Sequence, residues 1–314
     1  MSLVPVIRDR AHAVGYRPAD PLVVGVLRHG RPPAYYCQAG PTERDQIYTA
    51  SVAKQVTAAC VALLARSGAL SLDGPIWQWL PELPPWANDV TIRNLVHHSG
   101  GLPFDVDIRE ADRTTRGVLH ALGLFGRLAH PPDMFFDYSN PGYVCLGEIV
   151  HRACGEGLGT YARKHLFEPL GMTRTRFWSG PDPAPPGARP LEEPRPAPLS
   201  IGDGGMWSTA ADLLRWCAGL NEDRLGLTAQ LQKPGRLENN LEILPYAWGM
   251  GVHDYKGHRI YRHGGAWGPL KTLLVRMPDR GLGIVVFAER DDTDRRLALA
   301  DAVFDTLLHP ARIP

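Results

Sequence analysis

The sequence predicts an α/β protein in which the N- and C-terminal segments form one antiparallel sheet, flanked by helices, with a mainly helical lobe inserted between them. Three observations predict this arrangement. Short apolar or aromatic runs typical of strands occur early in the chain, at residues 22–27 and 34–39. Similar runs return near the end, at residues 270–277 and 281–288. The residues between these regions are mainly helical in pattern, with proline-rich joints.

The individual elements can be predicted in order along the chain. The N-terminal residues read as a helix, and the two runs that follow form a hairpin whose turn is the cluster at 29–33. From 51 to 66, small and apolar residues recur at three- and four-residue spacing, which predicts a helix that ends before Gly68. A further helix is predicted at 209–220 and a last one at about 293–308.

The chain of 314 residues is long enough for one large domain with a shared core. We predict a single domain over 1–314, with an α/β lobe built from 1–68 and 200–314 and a helical lobe from 69–199. The segment 181–198 is so rich in proline that it predicts an extended surface loop, and long ordered loops in enzymes often act as lids.

Composition and charge exclude several classes of protein. Apolar residues make up 44% and charged residues 21% of the chain, as in ordinary globular proteins. The net charge of +1 does not indicate a nucleic-acid partner or a membrane surface. No apolar run approaches the roughly 20 residues that span a bilayer. We therefore expect neither nucleic acid nor membrane as a partner.

The N-terminus and the cysteines indicate a cytoplasmic protein. The first residues carry charges at Arg8, Asp9 and Arg10 and lack the long apolar stretch of a secretory leader. The five cysteines are an odd set without redox spacing, which favours reduced thiols. Twelve histidines include no His-Glu-x-x-His or paired Cys/His motif, and a packed histidine is commoner than a ligand. We therefore predict no metal and no cofactor.

Ser51 and Lys54 are the first candidates for catalytic chemistry. They stand three residues apart at the start of the predicted helix, so their side chains share one face. A serine is a poor nucleophile unless a neighbouring base takes its proton; lysine can be that base and arginine cannot. The helix N-terminus also favours a developing oxyanion. The alternative is a helix cap beside a solvated lysine, although only five of the 34 basic residues are lysines.

Tyr138 and Asn140 form a second candidate group. They follow an aromatic run and precede a Pro-Gly pair, the context of a loop that enters a helix. A phenol can relay a proton, and a carboxamide can hold a substrate amide through both its donor and its acceptor. A buried tyrosine beside an ordinary turn is the alternative.

The third group is His263-Gly264-Gly265-Ala266, which precedes the predicted strand at 270–277. Two glycines permit close approach of a substrate backbone, and the N–H of Ala266 could complete an oxyanion hole with that of Ser51. A hairpin turn with a hydrogen-bonded histidine is the alternative.

These three motifs, in this order, resemble those of the serine β-lactamase and penicillin-binding-protein superfamily, in its class C β-lactamase and esterase branch. The resemblance extends over nearly the whole chain. Its longest blocks are YTASVAKQVTAACVALLARSGALSLDGPIWQWLPEL, IRNLVHHSGGLP, YARKHLFEPLGMTRTRF, IGDGGMWSTAADLLRW and YRHGGAWGPLKTLLVRMPDRGLGIVVFAE. The resemblance implies a β-lactamase/transpeptidase-like fold and an acyl-enzyme mechanism without a cofactor.

The resemblance also implies a role for each motif residue. Ser51 would be the acylated nucleophile and Lys54 its base or proton relay, with Tyr138 activating the nucleophile or protonating the leaving group. Asn140 would contact the substrate amide. His263, Gly264 and Gly265 would line the substrate site, and the backbone N–H groups of Ser51 and Ala266 would form the oxyanion hole.

One residue departs from the pattern of β-lactamases and cell-wall peptidases, which usually carry lysine at the position of His263. A histidine with the reference pKa of about 6.5 is largely neutral at cytosolic pH, so recognition of a substrate carboxylate should be weaker. Relatives with a His-x-Gly motif include D-aminopeptidases and esterases. The expected partners are thus a small acyl donor (an ester, amide or thioester) and an acceptor that is water, an amine or an alcohol.

Two alternatives to a hydrolase or acyltransferase remain open. The first is a non-catalytic acyl-binding or sensor protein of the same fold, since fold alone does not determine function. The second is a true β-lactamase or DD-peptidase. The sequence leaves the oligomeric state undetermined.

Overall fold

A computed structural model describes residues 2–103, 114–180, 182, 184–191, 200–237, 242–291 and 294–309. Nine strands follow in chain order: β1 (Leu22–Arg28), β2 (Arg31–Gln38), β3 (Ile47–Tyr48), β4 (Arg176–Phe177), β5 (Met206–Ser208), β6 (Gly251–Tyr255), β7 (His258–Trp267), β8 (Leu270–Met277) and β9 (Leu282–Ala288). Six of them form a wholly antiparallel sheet in the order β2-β1-β9-β8-β7-β6, and the short β3, β5 and β4 form a second sheet.

The described helices are α1 (Val4–Ala13), α2 (Lys54–Arg66), α3 (Ile92–His97), α4 (Thr115–Gly123), α5 (Asn140–Cys154), α6 (Leu158–Ala162), α7 (Ala210–Asn221), α8 (Thr228–Leu231) and α9 (Arg296–Leu308). A π-helical turn, Arg163–Phe167, continues α6, and 3-10 turns occupy Ala50–Ala53, Ile76–Gln78, Pro85–Asn88 and Pro278–Arg280. Since the large sheet is built only from N- and C-terminal strands, the predicted α/β class is confirmed. The division into two lobes stays a prediction.

The large sheet separates two apolar cores because side chains alternate between its faces. On one face, Val24 and Val286 pack with residues of α1 and α9. On the other face, Val23 and Phe287 join the larger core that includes α2, α5 and α7. The sheet is thus covered on both sides, and α2 lies inside the larger core.

The first hairpin differs from the prediction in its turn. Arg28 pairs with Arg31, so the turn contains only His29 and Gly30, and the two prolines after it lie within β2. Proline cannot donate to a neighbouring strand and is tolerated at the edge of a sheet, which is where β2 lies. The turn predicted over 29–33 was therefore too long.

Other boundaries move by one to three residues. The helix predicted at 209–220 runs from Ala210 to Asn221, with Thr209 as its N-cap. The last helix begins at Arg296, and residues 292–293 lie outside the described part of the chain. Of the proline-rich loop, 184–191 contains no helix or strand, whereas 181, 183 and 192–198 are outside the described residues.

None of the helices in the described part of the chain is long and apolar enough to cross a membrane.

Candidate active site

Ser51 lies in a 3-10 turn and not in the α-helix that the sequence predicted from that residue. The turn spans Ala50–Ala53, and α2 begins only at Lys54. The N–H of Lys54 donates to the oxygen of Ser51, three residues earlier, which is the 3-10 pattern, and Ala50 just before Ser51 has a left-handed φ of +46°. Neither the turn nor α2 has a side-chain cap, so the hydroxyl of Ser51 is not used as a helix cap.

The amine of Lys54 lies at the centre of the site. The side chain is completely buried, and Nζ donates to Asn140 Oδ1 and to the backbone oxygen of Asp203, both at 2.7 Å. Its third contact is Ser51 Oγ at 3.2 Å. An ammonium group has three N–H donors, so these three oxygens match its full donor capacity.

Only one of these three hydrogen bonds can reverse its direction. The backbone oxygen of Asp203 and the amide oxygen of Asn140 can only accept, with the amide oriented by this contact. The hydroxyl of Ser51 can either accept from Lys54 or donate to it. A proton that leaves Ser51 therefore has a direct path to the Lys54 amine, which the other two partners hold in place.

The loop from 200 to 205 carries the backbone oxygen that Lys54 contacts. Thr57, one turn along α2, donates to the oxygen of Gly202 at 2.8 Å and fixes this loop on the helix. Gly202 has a φ of +119°, and a Cβ there would lie 2.3 Å from the oxygen of Tyr143. Glycine is thus required for the loop to approach α5 and Lys54 together.

Tyr138 lies beside Lys54, with its ring centroid 5.0 Å from Nζ. The residue is 37% exposed, and its ring centroid lies 6.0 Å from that of His263, so Tyr138 forms part of an open wall of the site. Among the described contacts, the phenol hydroxyl is not hydrogen-bonded to Ser51 or Lys54. The predicted entry into a helix is confirmed, since Ser139 caps α5 and Asn140 is its first residue.

His98 holds the Tyr138 segment in place, a contribution that the sequence analysis missed. Its backbone oxygen accepts from the N–H of Asp137 at 2.8 Å, and its Nδ1 accepts from the N–H of Ser139 at 3.1 Å. Between these two bonds, the imidazole packs on the Tyr138 ring at a tilt of 39°, with ring centroids 4.4 Å apart. The adjacent pair His97-His98 was visible in the sequence, but nothing local indicated a partner about 40 residues away.

His263 is a buried neutral residue on β7 and does not lie in a turn. Its Nδ1 lies 2.6 Å from the oxygen of Gly264, which can only accept, so the proton is on Nδ1. Nε2 then accepts from the hydroxyl of Tyr246 at 3.1 Å. Burial, reinforced by the positive charge of Lys54, lowers the pKa of His263 to about 3. Tyr246 had no signal in the sequence.

The two glycines after His263 allow strand β7 to pack closely against neighbouring segments of the chain. A Cβ on Gly265 would lie 2.4 Å from the oxygen of Thr49 and 2.9 Å from Cβ of Ala50. Strand β7 therefore lies directly against the turn that carries Ser51, which brings the backbone of Ala266 to the same region. Substrate contacts of Gly264 and Gly265 stay a prediction.

Within the described residues, no group of three or more histidine, cysteine or acidic side chains is arranged to hold a metal ion.

Three buried histidines should make the protein labile to acid. Burial lowers the pKa of His97 to about 4, that of His98 well below its usual value and that of His263 to about 3. In the unfolded chain each titrates near about 6.5, so below that pH the unfolded state binds protons that the folded state does not. Stability is then lost as the pH falls, at about 1.4 kcal/mol per pH unit for each histidine.

Urea unfolding at several pH values tests this expectation. Between about pH 5.5 and 4.5, the free energy of unfolding of His263→Gln should fall less steeply than that of the parent by about 1.4 kcal/mol per pH unit. The exposed His151 provides a control, and His151→Gln should keep the parent slope. Equal slopes for the parent and His263→Gln would show that burial does not keep His263 neutral.

Comparison with known proteins places this geometry in a family. A family model described as Beta-lactamase matches residues 13–308. Penicillin-binding protein 4* of Bacillus subtilis (strain 168) is 28% identical over 289 residues, covering 81% of this chain and 63% of the relative. Esterase EstB of Burkholderia gladioli is 30% identical over 192 residues, covering 52% of this chain and 46% of the relative. The chain thus spans less than two thirds of the length of either relative.

Solved structures show the same fold. D-amino acid amidase from Ochrobactrum anthropi SV3 superposes with a TM-score of 0.82 at 19% identity, covering 99% of this chain and 100% of the amidase. A class C beta-lactamase from Rhodobacter sphaeroides superposes with a TM-score of 0.75 at 21% identity, covering 96% and 99% of the two chains. With the family match over nearly the whole sequence, these comparisons show that the chain belongs to the Beta-lactamase family.

Proposed function

We propose that this protein is a serine hydrolase or acyltransferase that works through an acyl-enzyme on Ser51. The observation that carries this proposal is the hydrogen bond between Lys54 Nζ and Ser51 Oγ, in which Nζ is held by two obligate acceptors. A nucleophile in direct contact with an oriented base is the arrangement that covalent catalysis requires. Membership of the Beta-lactamase family supports hydrolytic chemistry of this kind.

In the proposed acylation step, Lys54 acts as a neutral amine that donates to Asn140 and Asp203 and turns its lone pair toward Ser51. Ser51 Oγ attacks the carbonyl carbon of the acyl donor and transfers its proton to this amine. The new bond joins Oγ to carbon while the carbonyl π electrons move to oxygen. The carbonyl then re-forms as the C–O, C–N or C–S bond to the leaving group breaks, and the leaving group takes a proton from Lys54 or Tyr138. Water, an amine or an alcohol attacks the resulting ester and releases Ser51 by the reverse sequence.

The backbone N–H groups of Ser51 and Ala266 are the proposed donors to the oxygen that becomes negative. Their proximity is supported by the packing of Gly265 against Thr49 and Ala50. Two preorganised donors aimed at a developing charge are usually the largest single contribution to acyl-transfer catalysis. Asn140 is also proposed to contact the substrate amide, from a position fixed by its hydrogen bond with Lys54.

The neutral side chain of His263 favours a substrate that carries no carboxylate beside this residue. Its imidazole is held by Gly264 and Tyr246 and stays uncharged at any pH above about 4, since its pKa is about 3. We therefore propose a small neutral or amine-bearing ester, amide or thioester as acyl donor. The names of the esterase and the D-amino acid amidase among the similar proteins agree with this class.

Intact-mass spectrometry tests the proposal directly. The protein is incubated with p-nitrophenyl butyrate, a D-amino-acid amide and a β-lactam, and the mass of the chain is followed together with release of product. We expect an adduct from the neutral ester or the amide, mapped by peptide mass to Ser51, and multiple turnovers. A stable adduct without turnover would favour the acyl sensor, and no adduct with any probe would overturn the proposal.

Replacing His263 by lysine should change the charge preference of the site. A fixed cation beside a substrate carboxylate in a partly dry cleft contributes on the order of 1–3 kcal/mol. For His263→Lys, kcat/KM for a carboxylate-bearing substrate, divided by kcat/KM for its methyl ester, should therefore rise about tenfold to a hundredfold. The measurement is that ratio in parent and variant.

The matched control is His263→Gln, which keeps a neutral side chain able to accept from Tyr246. This variant should leave the ratio within about twofold of the parent, whatever happens to the absolute rates. If His263→Lys also leaves the ratio unchanged while the enzyme remains active, the charge at this position does not select the substrate.

A further inference from the structure

Arg296, the first residue of α9, reaches the back of the strand that carries the third motif. Its Nη1 donates to the backbone oxygen of Gly265, and to that of Thr272 on β8 at 2.5 Å. Its Nη2 lies 3.2 Å from the carboxylate of Asp294. The side chain is only 11% exposed, so these are contacts of a largely buried guanidinium.

Gly264 provides the space that this guanidinium occupies. A Cβ on Gly264 would stand 3.1 Å from Nη2 of Arg296 and 3.2 Å from Cζ, closer than nearly all real Cβ contacts. On the opposite face of β7, Gly265 packs against the Ser51 turn. The two glycines thus bring a charged side chain and the nucleophile turn to opposite faces of the same stretch of backbone.

The peptide that joins Gly265 to Ala266 connects this cation to the proposed oxyanion hole. In a trans peptide, the carbonyl of one residue and the N–H of the next point in opposite directions. Gly265 pairs with Thr272, and its carbonyl is directed toward β8 and Arg296. The N–H of Ala266 is therefore directed toward the other edge of β7.

That other edge is not covered by β6 at this point. Strand β6 pairs with β7 only as far as Arg262. After Arg262 along β7, the backbone oxygen of Gly264 contacts the ring of His263 at this edge. The N–H of Ala266 points to this same edge, because backbone groups two residues apart in a strand point the same way. The carbonyl of Gly265 and the N–H of Ala266 belong to the same peptide group and form its two polar ends.

We propose that Arg296 is a positioning residue for the oxyanion hole, acting through the Gly265–Ala266 peptide; this inference rests on the proposed function. A charge-assisted hydrogen bond to the carbonyl draws electron density from the amide and makes its N–H a stronger donor. The same bond fixes the orientation of that N–H before negative charge develops on the substrate oxygen. Preorganised donors of this kind act on the chemical step and not on substrate binding.

One test uses NMR to measure the amide signal of the Gly265–Ala266 peptide in the protein without substrate. The chain contains three Gly-Ala pairs, at 68–69, 187–188 and 265–266, so labelling glycine carbonyls with ¹³C and alanine nitrogens with ¹⁵N leaves three correlated amide signals. In Arg296→Gln, the Gly265–Ala266 signal should shift while the other two stay in place. The control Arg295→Gln removes the neighbouring arginine of the same segment, which contacts Asp291 and not β7. It should leave all three signals unchanged.

The kinetic test uses p-nitrophenyl butyrate and the corresponding thionoester. In Arg296→Gln, kcat for the ester should fall about tenfold with KM within about twofold, less than the hundredfold or more lost when an oxyanion donor is removed outright. The thionoester, whose sulfur is a weak acceptor, should lose less, so the ester-to-thionoester ratio of kcat should fall. Arg296→Lys, which retains a charged donor, should recover part of the loss.

The outcomes separate this inference from the proposed function. If the Gly265–Ala266 signal does not move in Arg296→Gln, or if it moves while kcat and the ester-to-thionoester ratio stay at parent values, the inference is overturned. An equal loss of kcat in Arg295→Gln would also overturn it, because a loosened helix would then explain the effect. If the parent forms no acyl adduct, the proposed function fails and the inference with it, even where the peptide signal has moved.

Discussion

Replacing Ser51 by alanine is expected to abolish formation of the acyl adduct, because the substitution removes the hydroxyl to which the acyl group is proposed to bond. The loss should come without unfolding, since the hydroxyl caps no helix and, among the described residues, its one hydrogen bond is to Lys54. Because Lys54 loses one hydrogen-bond partner, the free energy of unfolding should fall by about 1 kcal/mol. Intact mass after incubation with p-nitrophenyl butyrate measures the first effect, and urea unfolding the second.

Ser67→Ala is the matched control for this variant. Ser67 follows the last residue of α2, and its hydroxyl donates only to the backbone oxygen of Leu64 at 3.0 Å. The control should acylate at the parent rate. An adduct of the same mass on the Ser51→Ala protein would show that the nucleophile is elsewhere and would remove the basis of the proposed mechanism.

Replacing Lys54 by arginine should lower turnover at least about a hundredfold, the usual scale for loss of general acid–base catalysis. The substitution keeps a positive charge and donors for Asn140 and Asp203, but the guanidinium cannot accept the proton of Ser51. If Lys54 served only to attract or orient the substrate, arginine would preserve most of the activity. The measurement is kcat and kcat/KM with p-nitrophenyl butyrate.

Because Lys54 is completely buried, a larger side chain could also disturb the site by its size. Lys54→Met, which has no charge and a similar volume, separates the two causes: both variants should be equally inactive if proton transfer is what is lost. Lys164→Arg is the control for the substitution itself, since Lys164 is exposed and pairs with Glu156. Turnover of Lys54→Arg within a few-fold of the parent would exclude Lys54 as the base.

Local patterns were sufficient to predict the fold class and the contact between Ser51 and Lys54. Strand-like runs at both ends of the chain predicted the mixed architecture, and the three-residue spacing of Ser51 and Lys54 predicted that their side chains would meet. Both predictions depend on short-range geometry, which a sequence carries directly. The sequence was wrong about the element that holds Ser51, which is a 3-10 turn in which the left-handed Ala50 lies against Gly265, more than 200 residues away.

Local sequence patterns could not predict the residues that contact each motif residue. His98 contacts Ser139 across 41 residues, and Asp203 reaches Lys54 across 149. Tyr246 and Arg296 stand in no motif at all, yet the first holds His263 and the second holds the peptide before Ala266. Such contacts form only when segments distant in the sequence pack together.

The charge of His263 shows most clearly which properties the sequence determines and which ones the tertiary structure decides. The sequence determined that the residue is a histidine where β-lactamases and cell-wall peptidases usually carry lysine, and its reference pKa of about 6.5 already favoured the neutral form near neutral pH. Only the tertiary structure decided how firmly that form is held: burial beside the positive Lys54 lowers the pKa to about 3, and Gly264 and Tyr246 select one tautomer. Residue identity is a property of the chain, whereas desolvation and hydrogen-bond direction arise only where distant segments pack together.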